Sequence, residues 1–160
     1  MNDLSALMDK AKQSNVVPVV TTMPADLLTP LAVYLKLSAN AANSFLLESV
    51  EGGKSLARYS FIGADPENVE TVRGSLDPLK EHFRDLKADA DSELPPFIGG
   101  AIGYLGFDCS EWFEPSLKRA NSIGNHRDDA AFMFFRSIVA FDHAKQVIKV
   151  MSLIFPDEAS

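Results

Sequence analysis

The sequence predicts an α+β protein, built mainly as an antiparallel β-sandwich with a few inserted helices. Two observations lead there. About seven β-rich runs follow one another, two pairs of them joined by short turn-forming segments at residues 51–54 and 142–145, and a few stretches of helical spacing lie between them. With 160 residues, the chain has the usual size of one domain and can bury roughly two thirds of the surface its unfolded form exposes. Residues 1–160 are therefore read as a single domain.

Leu4, Leu7, Met8 and Ala11 recur at helical spacing and predict a short amphipathic helix that ends before Pro18. Residues 16–23 then read as a strand. Thr29 followed by Pro30 predicts a helix start, since the threonine oxygen can accept an orphan backbone N–H and proline suits the first helical position. Leu31, Tyr34, Leu35 and Leu37 populate the mostly apolar helix that follows. Residues 44–50 and 56–64 are two β-rich runs around Glu51-Gly52-Gly53-Lys54, whose glycines suit a hairpin turn. Residues 69–73 form a third run before Asp77-Pro78, read as the N-cap and first residue of a helix lined by Leu79, Phe83 and Leu86.

Residues 88–96 are acidic and end in Pro95-Pro96, which reads as a surface connector. The apolar run 97–108 is broken by four glycines, a pattern of bends or of close approach by another backbone. A helical turn at 111–114 stopped by Pro115, a polar loop at 121–129, and two long strands at 131–141 and 146–155 complete the reading.

Composition narrows the function. With 22 acidic and 15 basic residues the formal charge is −7, and the basic residues are scattered, which argues against a nucleic-acid partner. No window approaches the ~20 apolar residues that span a bilayer, so no membrane association is expected. Residues 1–13 lack the apolar core of a secretory signal, and a lone Cys109 fits a reducing cytoplasm. The spacing Gly100-x-x-Gly103-x-x-Gly106 is wrong for a phosphate loop. His82, His126, His143 and Cys109 stand at no metal-ligand spacing, so no metal and no catalytic triad is assigned. Asp108 and Glu111 read as acids at the start of a turn, with Asp108 as its cap.

The chemistry concentrates between residues 46 and 63. Alternation along 44–50 puts Phe45, Leu47 and Ser49 on one face and Leu46, Glu48 and Val50 on the other. Both faces are largely apolar, so Glu48 is expected to need a partner. Arg58 on the neighbouring strand is one, in a purely structural ion pair; a ligand ammonium is the other.

Four segments in the same order resemble the first domain of the chorismate-utilising family that contains anthranilate synthase component I and aminodeoxychorismate synthase component I. They are residues 26–37, residues 46–63 with Leu46-Leu47-Glu48-Ser49, residues 96–108, and the final hairpin; the Leu-Leu-Glu-Ser run favours the anthranilate branch. The resemblance implies the N-terminal region of a longer polypeptide: an orthogonal β-sandwich, incomplete here, that holds tryptophan as feedback inhibitor. The parent is implied to be a lyase that makes anthranilate and pyruvate from chorismate, with ammonia from a glutamine amidotransferase subunit. Its chorismate-binding domain and magnesium-holding acids are expected in a C-terminal portion absent from this chain, which is therefore expected to be non-catalytic alone and to hold no cofactor. Carried over, Leu47, Glu48 and Ser49 match the inhibitor motif, and Tyr59 and Ser60 belong to the strand that completes one wall. In the family another wall comes from the larger portion. The alternatives are the aminodeoxychorismate enzyme of folate synthesis, a stand-alone amino-acid-binding module, and a structural sandwich in which Glu48 pairs with Arg58.

Overall fold

The apolar run expected as one strand at 131–141 is two strands, because the chain changes sheets at Arg136. In the computed structural model, which describes residues 4–48, 58–88, 92–117 and 129–158, the carbonyl of Phe134 accepts from the Glu67 amide at 2.9 Å. Two residues on, the carbonyl of Arg136 accepts from Leu153 at 2.8 Å, in the other sheet. Strands that pass from one sheet to another in this way form the corners of packed antiparallel sheets. The Arg136 guanidinium pins the corner by pairing with Glu67 at 2.5 Å and Glu158 at 2.6 Å and by lying 4.5 Å from the centre of the Phe155 ring.

In chain order the elements are α1 (Leu4–Ala11), β1 (Val17–Pro24), α2 (Pro30–Ser38), β2 (Ser44–Glu48), β3 (Tyr59–Ala64), β4 (Asn68–Val72), α3 (Asp77–Phe83), β5 (Gly100–Leu105), α4 (Ser110–Phe113), β6 (Ala130–Phe135), β7 (Ser137–Asp142) and β8 (Val147–Ile154). One sheet has five strands in the order β1-β8-β7-β3-β2, the other three in the order β4-β6-β5, and every described pairing of these strands is antiparallel. The expected fold class is therefore observed, with eight strands among the described residues in place of about seven, the extra one arising from the break at Arg136. The turn expected at 51–54, most of the loop at 121–129 and Ser49 lie outside the described residues.

Side chains from both sheets meet in one core. Phe45, Ile138, Ala140 and Met151 of the larger sheet pack with Phe135, Met133 and Ile102 of the smaller. Phe45 and Phe135 meet edge to face with centroids 4.9 Å apart, and Gly63 makes room for them: a methyl there would stand 2.4 Å from the Phe45 ring. At Gly103 a methyl would lie 1.9 Å from the Ala131 carbonyl oxygen, so one glycine of the 97–108 run does mark the close approach of another backbone.

The far face of the larger sheet is covered by α2. Ile62, Phe141 and Ile148 form a second cluster under Val33 and Tyr34, with Leu46 and Val139 beside them. Thr29 caps α2 as expected, its Oγ1 accepting from the Ala32 amide at 3.1 Å. Leu31, Leu35 and Leu37 turn away from the sheet and are exposed, so the apolar pattern of this helix overstates its inward face. At α3 the expected capping role of Asp77 does not hold: Asp77 is inside the helix and Leu76 occupies the cap without a side-chain bond, while Ser75 Oγ accepts from the Asp77 amide at 3.2 Å. Asp108 likewise sits within a 3₁₀ turn, Phe107–Cys109, and makes no cap.

Candidate functional site

Strand β2 is the edge of its sheet, and Leu46 is its residue that packs into the cluster under α2. Both faces were expected to be buried; instead Leu47 is 49% exposed and Glu48 is exposed as well. Register fixes what lies across from them. Leu47 pairs with Phe61 and Glu48 with Ser60, and residues directly opposite in an antiparallel pair point to the same side. Glu48 and Ser60 thus share the α2 side of the sheet, together with Leu46 and Ile62. Leu47 and Tyr59 share the other side with Phe61, on which Tyr59 stacks at 5.8 Å. The five residues predicted as a site are therefore split: Glu48 and Ser60 come together, Leu47 and Tyr59 face the opposite way, and Ser49 lies outside the described residues.

The structural pairing of Glu48 with Arg58 is not what the structure shows. Arg58 turns to Asp142, donating from Nε to Oδ1 at 3.2 Å and from Nη2 to Oδ2 at 2.9 Å. The reason is burial. Asp142 is 1% exposed at the end of β7, opposite Tyr59 in register, and a carboxylate so enclosed needs a charged partner more than an exposed Glu48 does. Its Oδ1 also accepts from the amides of Ala144 at 3.2 Å and Lys145 at 3.1 Å, which closes the β7–β8 turn. The hydrogen bond from Arg58 holds the Asp142 carboxyl below the usual carboxylate range against the opposing effect of burial. The same bond raises the Arg58 guanidinium, which also lies 4.8 Å over the Tyr59 ring. Burial, followed by the Asp142 charge, pushes the Tyr59 hydroxyl up.

His143 follows Asp142 and was read only as a turn residue. Its backbone N–H donates to the Arg58 carbonyl at 2.8 Å, and its Nε2 lies 2.8 Å from the buried Ser60 hydroxyl. Asp142 and His143 are thus the residues the sequence reading missed. The available signal was an Asp at a strand end, placed to bond the amides two and three residues on.

Among the described residues two cavities stand out, and one of them adjoins this region. One of about 440 Å³ opens between the segment before α2 and the β7–β8 turn and is lined by Asp26, Thr29, Phe141, Asp142, His143 and Gln146. The other, about 320 Å³ and more apolar, lies between α3 and the two sheets against Phe83, Leu86, Ile98, Phe134, Leu153 and Phe155. None of the predicted site residues lines the apolar cavity, whereas His143, the partner of Ser60, lines the first. The polar chemistry gathers at the first.

Among the described residues no group of three or more His, Cys, Asp and Glu side chains lies together as a metal site would. His82 packs against Phe134 with centroids 4.3 Å apart, and Cys109 is buried, its Sγ donating to the Asp129 carbonyl at 3.1 Å. Burial also raises the Cys109 thiol, which removes the thiolate a nucleophile needs. Among the described residues, no helix is long and apolar enough to cross a membrane.

No family model matches the chain. Individual proteins do. It is 39% identical over 155 residues to the probable anthranilate synthase component 1 of Schizosaccharomyces pombe, a match covering 95% of this chain and 31% of that protein. It is 33% identical over 171 residues to anthranilate synthase component 1 of Synechocystis, covering 96% and 33%, and 35% identical over 160 residues to that of Saccharomyces cerevisiae, covering 91% and 31%. The crystal structure of anthranilate synthase component I from Streptococcus pneumoniae TIGR4 superposes with a TM-score of 0.49 at 27% identity, over 86% of this chain and 32% of that one. The chain spans about a third of the length of the curated relatives it matches. Along nearly all of its own length, then, this chain is a sequence relative of component 1 of anthranilate synthase.

Proposed function

We propose that these residues form the regulatory, N-terminal part of an anthranilate synthase component 1 and that tryptophan binds there as a feedback inhibitor. The complete polypeptide, on this reading, converts chorismate to anthranilate and pyruvate in the cytoplasm, using ammonia from a glutamine amidotransferase subunit. The magnesium and the catalytic groups belong to the part of the polypeptide outside these residues. The observation that carries the proposal is the continuity of the match, 33% to 39% identity along some 95% of the chain, to proteins of that one name. It favours the anthranilate branch over the aminodeoxychorismate enzyme and over a stand-alone binding module.

The geometry supports a place for the inhibitor. A free amino acid carries an ammonium and a carboxylate, which need an acceptor and a donor side by side. Glu48 and Ser60 are such a pair, opposite one another in register on one face of an edge strand. A ligand that engages them sits at the end of the β2–β3 pair, where Leu47 and Tyr59 bound the other face. The second wall comes from the remainder of the polypeptide.

The test uses the complete polypeptide and follows anthranilate fluorescence with ammonium as nitrogen source. The tryptophan concentration for half inhibition is expected to rise at least tenfold in Glu48→Ala, the effect of losing about 1.5 kcal/mol from one charged hydrogen bond. An unaltered concentration refutes the site. A protein that releases no anthranilate from chorismate refutes the parent activity.

A further inference from the structure

Ser60 is 2% exposed and its hydroxyl meets the ring of His143, Oγ to Nε2 at 2.8 Å. That ring is itself held. Its backbone N–H donates to the Arg58 carbonyl at 2.8 Å, and its plane lies 23° from that of Phe141 with centroids 6.3 Å apart. The residue before it, Asp142, is gripped by Arg58 and by the amides of Ala144 and Lys145. Ser60 and the His143 ring that it meets go with the face that carries Glu48, while the Asp142 carboxylate, opposite Tyr59 in register, and the Arg58 guanidinium over the Tyr59 ring anchor the same turn from the other face.

We infer that His143 is a positioning residue of the inhibitor site, which decides whether the Ser60 hydroxyl donates to the bound amino acid or accepts from it. The inference rests on the reading that tryptophan is received by Glu48 and Ser60. The chemistry is that of a hydroxyl with a single proton. Where Nε2 carries no hydrogen, Ser60 must donate to it and shows a ligand only lone pairs. Where Nε2 carries the hydrogen, Nε2 donates to Oγ and the hydroxyl proton turns outward. Glu48 already provides an acceptor for an ammonium, so the complementary need is a donor for the carboxylate, and ligand binding selects the Nε2–H form. Of the charged residues nearby, Glu48 stands opposite Ser60 in register, Asp26 and Asp142 line the same cavity as His143, Arg58 is paired with Asp142, and Lys145, two residues on in the turn, is paired with Glu93.

The experiment is calorimetric titration of L-tryptophan into the complete protein. His143→Ala is expected to weaken binding about five- to tenfold, and His143→Gln to restore most of it, because a glutamine N–H can donate to Oγ. Ser60→Ala is expected to weaken binding by the same factor, and adding His143→Ala to it to cost nothing further. Undiminished affinity in His143→Ala, or losses that multiply in the double variant, overturns the inference. Should His143→Ala not fold, Ser60→Ala alone is compared with Ser60→Ala carrying His143→Gln; equal affinities are expected, and a further loss overturns it. A parent protein that binds no tryptophan removes the functional reading and this inference with it. Binding that depends on Glu48 but not on His143 removes the inference alone.

Discussion

Replacing Asp142 by asparagine keeps its size and an oxygen for the two turn amides but removes the charge that Arg58 grips. The side chain is 1% exposed and accepts four hydrogen bonds, two from the guanidinium. Breaking a fully buried ion pair costs about 3–5 kcal/mol. Here Arg58 is 48% exposed and its charge is shared with water, so the lower figure for charge-assisted hydrogen bonds, about 2 kcal/mol, applies at neutral pH. In a protein of this size that lowers Tm by roughly 4–8 °C. The pH dependence has a definite sign. The folded carboxyl titrates below its unfolded value, so its stabilisation is fully present above about pH 4–5 and is lost as pH falls through the folded value. Urea unfolding of parent and variant at steps from pH 7 to pH 3 measures the difference, which should be largest at neutral pH and shrink in the acid range. A gap that stays constant to pH 3, or one below about 0.5 kcal/mol at pH 7, refutes the pairing as a source of stability.

Thr29→Ala removes the hydroxyl that caps α2 and is expected to cost about 1 kcal/mol by denaturant unfolding, with Thr29→Ser close to neutral; equal losses in both point away from the cap. Gly103→Ala drives a methyl to 1.9 Å from a carbonyl oxygen, a clash with backbone that no rotamer relieves, and should cost roughly 3 kcal/mol or more; a variant as stable as the parent contradicts the β5–β6 approach.

The β-rich runs, the helix start at Thr29-Pro30 and the antiparallel class were legible because each depends on local chemistry: alternation, a capping oxygen, turn residues. The break at Arg136 was not, since Phe134, Phe135, Ile138 and Val139 are apolar on either side of it and only the change of partner from Glu67 to Leu153 reveals the corner. The partner of Arg58 was missed for a related reason. Glu48 and Asp142 are both acids within reach of the strand that Arg58 precedes, and burial, which decides between them, is a property of the assembled sheets. Edge position hides in the same way: β2 has the composition of a covered strand yet lies at the border.

With Arg58 committed to Asp142, Glu48 has no ion-pair partner among the described residues, and two accounts of it remain. Charges at the ends of edge strands discourage pairing with another chain, a role any charge can fill and lysine fills well. A ligand ammonium needs a negative charge. Glu48→Lys separates them: it keeps the edge charged and reverses the sign a ligand would meet. If Glu48 only guards the edge, the variant stays as soluble as the parent and its response to tryptophan does not move. If Glu48 receives an ammonium, solubility is kept and inhibition is lost more completely than in Glu48→Ala, because repulsion is added to the missing bond. A Glu48→Lys enzyme inhibited at the parent's tryptophan concentration leaves edge protection as the account of this residue.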